Sequence, residues 1–471
     1  MFRQHRIKRK NTEKITGKCS VLLFLFLITV PAVLHSAPVR ALSLTEAYAL
    51  ALHHDPTFQA AIKELEVGQE EEALGRAELL PKLSMSYQNA PKNWQQAESN
   101  SLDRRGNTVK EHHDRQYDSY SGVLILTQPL FDIEAWARYQ TRKAYALMSD
   151  ARFRADSQQL AVRVVNSYVA VAYEQDRLAQ IEQRRMAYEK QLELNQKLFT
   201  SGEGTRTDIA ETQARYSQVQ ADELTVRDEL DAAIRDLQLL VGMPLPTDVP
   251  VTRLSNVEHF KTINLTFERY ADWEQAALRQ NPQLAVARQK IDAAYYDIKR
   301  SRAGYLPKLE LYASHSENKS GTDNTINQKY RTDSIGVRVS MNLYNGNGTL
   351  ASVRQSAANY DKTKYEMEAQ AGETLNALRR HYNGCVNGQK RIRAYEAAVK
   401  AAELQVQATE KSVLLGQRVN VDVLNAEQQL YAARRELSQA KYDYMKSWIG
   451  LLNESGQLSS EHIQLLSHYF G

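Results

Sequence analysis

The chain contains itself twice, and a duplicated unit restricts the fold to a pseudo-symmetric pair rather than two unrelated domains. Asn281-Pro282 answers Asp55-Pro56, and Arg302-Ala303-Gly304-Tyr305-Leu306-Pro307-Lys308-Leu309 answers Arg76-Ala77-Glu78-Leu79-Leu80-Pro81-Lys82-Leu83, both at an offset of 226. Further on the offset is 214. There Gly416 and Asp422 answer Gly202 and Asp208, and the stripe Leu378, Cys385, Ile392, Val399, Val406, Val413 answers Val164, Val171, Leu178, Arg185, Leu192, Phe199. The repeating unit spans 42–245 and 265–452, with a proline-bearing linker at 246–264 and a tail at 453–471.

Residues 1–41 read as a secretory signal peptide, a basic stretch followed by the apolar run Val21 to Val30. Cleavage is expected after Ala41 or Ala37. This segment holds eight Lys and Arg against the single acid Glu13, so removing its +7 turns the formal +4 of the whole chain into −3. A mature chain of that charge lacks the basic stripe of a nucleic-acid binder. Only Cys385 remains outside the signal, which excludes an intramolecular disulfide framework, and its place in the apolar stripe reads as core. A signal without disulfides points to the envelope of a Gram-negative bacterium. After Ala41 no segment approaches the roughly 20 apolar residues of a membrane helix, so integral membrane contact would have to come from strands.

Period-two alternation appears where strands would be needed. Ser334-Ile335-Gly336-Val337-Arg338-Val339-Ser340-Met341-Asn342-Leu343 puts five apolar residues on one face and polar residues on the other; its counterpart, Tyr120 to Phe131, is apolar on both sides and leaves its orientation open. The polar stretches Asn89 to Tyr117 and Ser316 to Thr332 read as loops. Pro81 and Pro307 lead into the strand pairs, and Pro129 and Gly346 mark where the chain leaves them. From Ile133 to Phe199 there is neither proline nor glycine, a helix of about 100 Å at 1.5 Å per residue, and about Leu350 to Leu414 repeats it. Shorter return helices are expected over about Asp208 to Val241 and Asp422 to Leu452. Apolar residues at intervals of seven describe coiled-coil hairpins.

Four strands with a lipid face cannot close a barrel, because an open edge in hydrocarbon leaves backbone groups unpaired at several kcal/mol each. Two copies would supply eight strands, whose side chains fill the interior; three would supply twelve and leave a lumen. The expected fold is therefore mainly α with a membrane β-barrel: long helical hairpins and four strands per protomer, a homotrimer forming a 12-stranded barrel over a periplasmic α-barrel.

These two repeats, with Leu-Pro-Lys-Leu before each strand pair, Pro129-Leu130-Phe131 after the first, and Gly416-Gln417-Arg418-Val419-Asn420-Val421-Asp422-Val423-Leu424-Asn425-Ala426, resemble the TolC-type outer-membrane channel-tunnel family over nearly all of the mature chain. Leu239-Leu240-Val241-Gly242-Met243-Pro244-Leu245 resembles the family's end of the first half. The resemblance implies a duct that carries substrates across the outer membrane in one step. An inner-membrane transporter, ABC or proton-driven, and a periplasmic adaptor would hand them over. It implies type I protein secretion or small-molecule efflux as the task, with the tip as a whole nearer the secretion members. It also implies that Arg418 is the latch arginine of the tunnel entrance and Asp422 an acid ringing it. Some members carry a second aspartate where Asn425 stands, and a tyrosine where Val413 stands. Arg206 and Asp208 are the matching candidates in the first half, and Gly202, Glu203, Gly204, Gly416 and Gln417 form the tips that would face the adaptor.

Each candidate has a plainer reading. Asp208 and Asp422 each precede a helix and fit an N-cap, a role compatible with facing a pore. Arg206 and Arg418 could be solvated tip charges. Glu111-His112-His113-Asp114 has the residue types of a metal site but sits in a polar stretch, and neither a nucleotide loop nor a catalytic motif occurs, so no cofactor, metal or enzymatic activity is expected. Two other classes remain open: a periplasmic coiled-coil scaffold without a pore, and an adhesin displaying the two polar stretches.

Overall fold

The structure is a computed structural model that describes residues 41–243, 260–321 and 325–470. The signal segment up to residue 40 and most of the expected linker lie outside the described residues. The remainder runs α1 (Leu44–His54), α2 (Pro56–Ala77), β1 (Lys82–Leu102), β2 (Thr108–Phe131), α3 (Ile133–Ser201), α4 (Arg206–Val241), then α5 (Tyr270–Gln280), α6 (Pro282–Arg302), β3 (Lys308–Lys319), β4 (Lys329–Ser340), α7 (Gly348–Leu414), α8 (Asn420–Ser455) and α9 (Ser460–Ser467). Six elements thus recur in the same order.

Equivalent residues do equivalent work at the start of each half. Asp55 caps α2 by accepting from the Phe58 amide at 3.0 Å, with Pro56 in the first turn, and Asn281 caps α6 by accepting from the Leu284 amide at 3.1 Å, with Pro282 behind it. Both caps are buried and tied to the helical core. Arg163 on α3 donates to Asp55 at 2.5 Å, and the Asn281 amide donates to the Glu454 carbonyl at 2.9 Å. Ser43 caps α1, in a capping box with Glu46.

The main core lies where the long helices are crossed by the short ones. Leu160, Val164, Tyr168, Leu237, Trp273, Leu378, Cys385, Tyr444, Trp448 and Ile449 pack there. The tail docks into it, with the Phe470 ring edge-on to Tyr168 at 5.1 Å and Ile463 and Leu466 buried. Cys385 is fully buried, and burial pushes its thiol up to about 12, which makes it an inert core side chain. Toward the helix ends the core thins to two small clusters. Ala402, Val406, Ala426 and Leu430 join α7 to α8, while Tyr188, Val219 and Leu424 join α3, α4 and α8.

The strands form one antiparallel sheet in the order β1-β2-β3-β4. Its register settles the orientation that the alternation of β2 left open. Leu83, Leu126, Ala313 and Ile335 stand in one row, with Gln128, Leu311 and Val337 and then Phe131, Leu309 and Val339 below, and Met85, Leu124, His315 and Asp333 above. The opposite face carries Ser84, Ile125, Ser314 and Ser334 in one row, and Thr127, Tyr312 and Gly336 in the next. The apolar face is solvent-exposed within a protomer: Ile335 is 79% exposed and Met85 76%.

Two expectations about the strands are corrected. Of Ser316 to Thr332, residues 316–319 lie in β3 and 329–332 in β4, and Asn89 to Tyr117 is not a loop at all. β1 and β2 continue through it as a two-stranded ribbon, interrupted by one register shift between Ala90 and Asn93 and closed by a turn in which Asp103 accepts from the amides of Arg105 and Asn107 at 2.8 and 2.9 Å. A ribbon with water on both faces has no apolar alternation, so the only strand signal there was the Asp-x-x-Gly-Asn turn. Glu111 to Asp114 accordingly lie in β2, where the His112 imidazole sits 2.8 Å from Glu98 across the strands. The other correction is that β4 stops at Ser340, so Met341 and Leu343 continue the apolar exposure, 89% for Leu343, from outside the strand.

Pro81 and Pro307 immediately precede β1 and β3, and Gly346 lies in the turn before α7. Pro129 is inside β2 rather than after it. Having no N–H to donate, it sits at the register shift where Phe131, not Leu130, meets Leu309.

Candidate gate at the hairpin ends

Each long helix turns back on itself through the same device. At the end of α3 the Gly202 amide donates to the Phe199 carbonyl at 3.1 Å and the Glu203 amide to the Leu198 carbonyl at 2.9 Å. At the end of α7 the Gly416 amide donates to Val413 and the Gln417 amide to Ser412, both at 2.9 Å. These are two Schellman caps, with Gly202 at φ 84° and Gly416 at φ 72°, the left-handed conformation that a side chain resists. Gly204 adds a third bond to the Leu198 carbonyl at 3.0 Å.

The return helices begin differently. Thr205, not Asp208, is the N-cap of α4. Its hydroxyl accepts from the Asp208 amide at 3.1 Å, and the Asp208 carboxylate accepts from the Thr205 amide at 3.1 Å and from its hydroxyl at 2.6 Å. Val419 occupies the N-cap of α8 and makes no side-chain bond, so Asp422, also in the first turn, is no cap either. Both aspartates are third helical residues, where a carboxylate faces the positive end of the helix dipole. Asp208 spends its charge on its own cap; Asp422, half-buried, has no side-chain hydrogen bond or ion pair among the described residues.

The two tip arginines also differ. Arg206 lies over the Phe199 ring at 5.8 Å, within its own hairpin. Arg418 is exposed and has neither a hydrogen bond nor an ion pair among the described residues of its protomer.

What ties the two hairpins of one protomer together lies a turn or two above the tips. Arg215 on α4 donates to the Asn425 side-chain oxygen at 3.1 Å and to the Gln428 side-chain oxygen at 2.6 Å, both on α8. Gln191 on α3 donates to the Asn420 oxygen at 2.8 Å. Behind these, the buried Asn195 amide donates to the Thr212 hydroxyl at 2.8 Å, locking α3 to α4. Arg185, the polar interruption of the first-half stripe, pairs with Glu223 on α4 at 2.8 Å. Arg215, Gln191 and Gln428 were not legible in the sequence, since each is one polar residue among many on a polar helix. Arg185 was the single cue that this stretch of the hairpin is joined by polar groups.

The seam is incompletely satisfied. Tyr188 Oη, Arg184 Nε, Glu211 Oε2 and Asn420 Nδ2 are buried without a hydrogen-bond partner among the described residues. Buried orphans of this kind each cost about 1–3 kcal/mol, so these helices are held together less firmly than the core above them.

An outer membrane efflux protein model matches residues 47–243 and 273–457, both repeats. The chain belongs to that family. The alkaline protease secretion protein AprF of Pseudomonas aeruginosa is 45% identical over 91% of this chain and 88% of its own. The proteases secretion protein PrtF of Dickeya chrysanthemi is 40% identical over 94% of each. Among solved structures, CusC matches the fold at a TM-score of 0.74 and 18% identity, over 90% of this chain and 95% of the other. Family membership makes the chain an exit duct of the outer membrane, reaching into the periplasm, and not an enzyme. Among the described residues no helix is long and apolar enough to cross a membrane.

Proposed function

We propose that this protein is the outer-membrane duct of a one-step protein secretion machine, in which three copies close a 12-stranded barrel and extend it as a helical tunnel to a periplasmic adaptor and an inner-membrane ABC transporter. The observation that carries this reading is a sheet with one mainly apolar face, broken by Gln128 and the His315–Asp333 pair, and two open edges, β1 and β4. Such edges are intolerable in hydrocarbon, and neighbouring copies satisfy them, β4 of one against β1 of the next. Twelve strands leave a lumen where eight do not. Cargo of polypeptide class is supported by AprF and PrtF, whose names refer to secreted proteases. The adaptor would engage the exposed tips Gly202 to Gly204 and Gly416 to Gln417.

The hairpin ends would gate this duct. Arg418, without an ion pair among the described residues of its protomer, would bond a neighbouring copy, and Asp422 would ring the entrance. Arg215 with Asn425 would hold the second hairpin against the first, the link that Asn425 supplies in place of a second acid. Removing the protein from its host and measuring the protease exported by the matching transporter tests the function. Retention of the protease in the cytoplasm, restored by the intact chain, is expected. Undiminished secretion, or accumulation in the periplasm, would contradict it and favour the scaffold.

A further inference from the structure

Along the apolar face of the sheet, going away from the helices, the rows change character at one level. His315 Nδ1 and Asp333 Oδ1 meet there at 2.5 Å, across β3 and β4. The next row carries Tyr87, Gly122, Glu317 and Arg331, and the one after it Asn89, Tyr120, Lys319 and Lys329. Glu317 organises these side chains. Its carboxylate accepts from the Tyr120 hydroxyl at 2.9 Å and pairs with Arg331 at 3.3 Å and with Lys329, whose ammonium also lies 5.9 Å from the Tyr120 ring centroid. Tyr87 stands beside Tyr120, with ring centroids 6.4 Å apart, and Lys319 pairs with Asp118 at 2.6 Å. Two exposed cations thus share one carboxylate, which leaves a positive surplus at Lys329 and Arg331. On the helix-ward side of His315 and Asp333 an open groove of about 450 Å³ crosses Ala313, between Leu124 and Leu126 on one flank and Ile335 on the other. Ala313 is the smallest side chain of its row, so the groove falls there.

We propose that this place holds one lipid of the outer leaflet, a phosphorylated glycolipid, with a phosphate on Lys329 and Arg331 and an acyl chain in the groove over Ala313. The inference rests on the reading that the apolar face meets lipid in a closed barrel. The helices join the strands at Lys82, Phe131, Lys308 and Ser340, so the charged rows lie at the end away from the periplasm. Successive rows on one face are about 7 Å apart along a strand, which sets the cations directly beyond the mouth of the groove. That is the order of parts in such a lipid, phosphates on the sugar immediately above the acyl chains. A guanidinium presents a planar fork to phosphate oxygens, and an ammonium beside it adds a second charge. Basic side chains next to hydrocarbon draw anionic headgroups, and tyrosines such as Tyr87 and Tyr120 favour the same boundary. A chain lying over Ala313 restores the dispersion contacts that the short side chain leaves unmade.

Native mass spectrometry of the detergent-extracted full-length oligomer tests this by titration with bis-phosphorylated lipid A and with the same glycolipid stripped of its phosphates. The wild type is expected to bind the phosphorylated form more tightly. Lys329→Gln combined with Arg331→Gln should weaken that binding on the order of thirtyfold and erase the preference. Arg338→Gln, which removes a cation from the opposite face, should leave it intact. Ala313→Leu fills the groove without touching the cations, and should weaken both glycolipids alike while keeping the preference. A wild type that ignores the phosphates, a preference that survives the double variant, or a groove variant that binds both glycolipids as the wild type does overturns the proposal. Conductance of the same preparation separates the two readings. A conducting oligomer without the preference overturns the lipid site and leaves the duct standing, whereas protein that neither conducts nor prefers overturns both.

Discussion

The guanidinium of Arg215 lies 3.1 Å from the side-chain oxygen of Asn425, so the asparagine that stands where some family members carry a second aspartate is committed to the neighbouring hairpin. Bonds from a charged donor of this kind contribute about 1.5–3 kcal/mol. Arg215→Ala should raise the open probability of the channel at least as much as Arg418→Ser, by roughly ten- to a hundredfold, without changing the thermal midpoint of the core. Equal conductance in Arg215→Ala and wild type would show that Asn425 holds nothing.

The two tip aspartates should behave differently. Asp208→Ala removes a capping-box partner and should cost α4 about 1 kcal/mol, read as faster amide exchange over residues 206–212. Asp422→Ala touches no cap bond, loses only the carboxylate's place at the helix dipole, and should speed exchange in α8 less than Asp208→Ala does in α4, while lowering cation selectivity, measured as a reversal potential in a salt gradient.

Asp55 couples the start of the first half to α3. Burial alone would raise its carboxyl, but bonds from Arg163 and Thr57 more than reverse this and hold it below the usual carboxylate range. A depressed value means that its stabilisation is present above the unfolded-state pKa and is lost as pH falls through the folded one. Asp55→Asn should lower the thermal midpoint near neutral pH, and the gap from wild type should close as pH falls below the carboxylate range. A gap independent of pH would assign the loss to packing.

On the sheet, charge should be tolerated by face. Ile335→Arg stands in the apolar row and should cost about 2–4 kcal/mol in the membrane, seen as loss of heat-resistant oligomers from outer-membrane extracts. Ser334→Arg, one residue away on the opposite face, should leave the oligomers intact. The converse result would turn the barrel inside out.

Much of this architecture was readable because duplication and periodicity are long-range signals. Asp55-Pro56 and Asn281-Pro282 are capped helix starts, and a helix without proline or glycine from Ile133 to Phe199 runs through to Ser201. The ribbon beyond Ala90 was not readable, because period two marks a strand only when one face is apolar. At the tips, Asp208 and Asp422 were expected as caps from residue type alone, whereas cap geometry is decided by which residue leaves the helical conformation first. Thr205 and Val419 do so. The seam of Arg215 with Asn425 and Gln191 with Asn420 is tertiary, made by helices more than two hundred residues apart, and no local pattern could announce it.

Single-channel recording of the detergent-extracted protein in planar bilayers tests the central claim most directly. Discrete, steady unitary conductance from an oligomer is expected, small in the wild type and larger in Arg215→Ala and Arg418→Ser. Folded, membrane-extracted protein that conducts nothing in any of the three would contradict it and leave the apolar face of the sheet without a role.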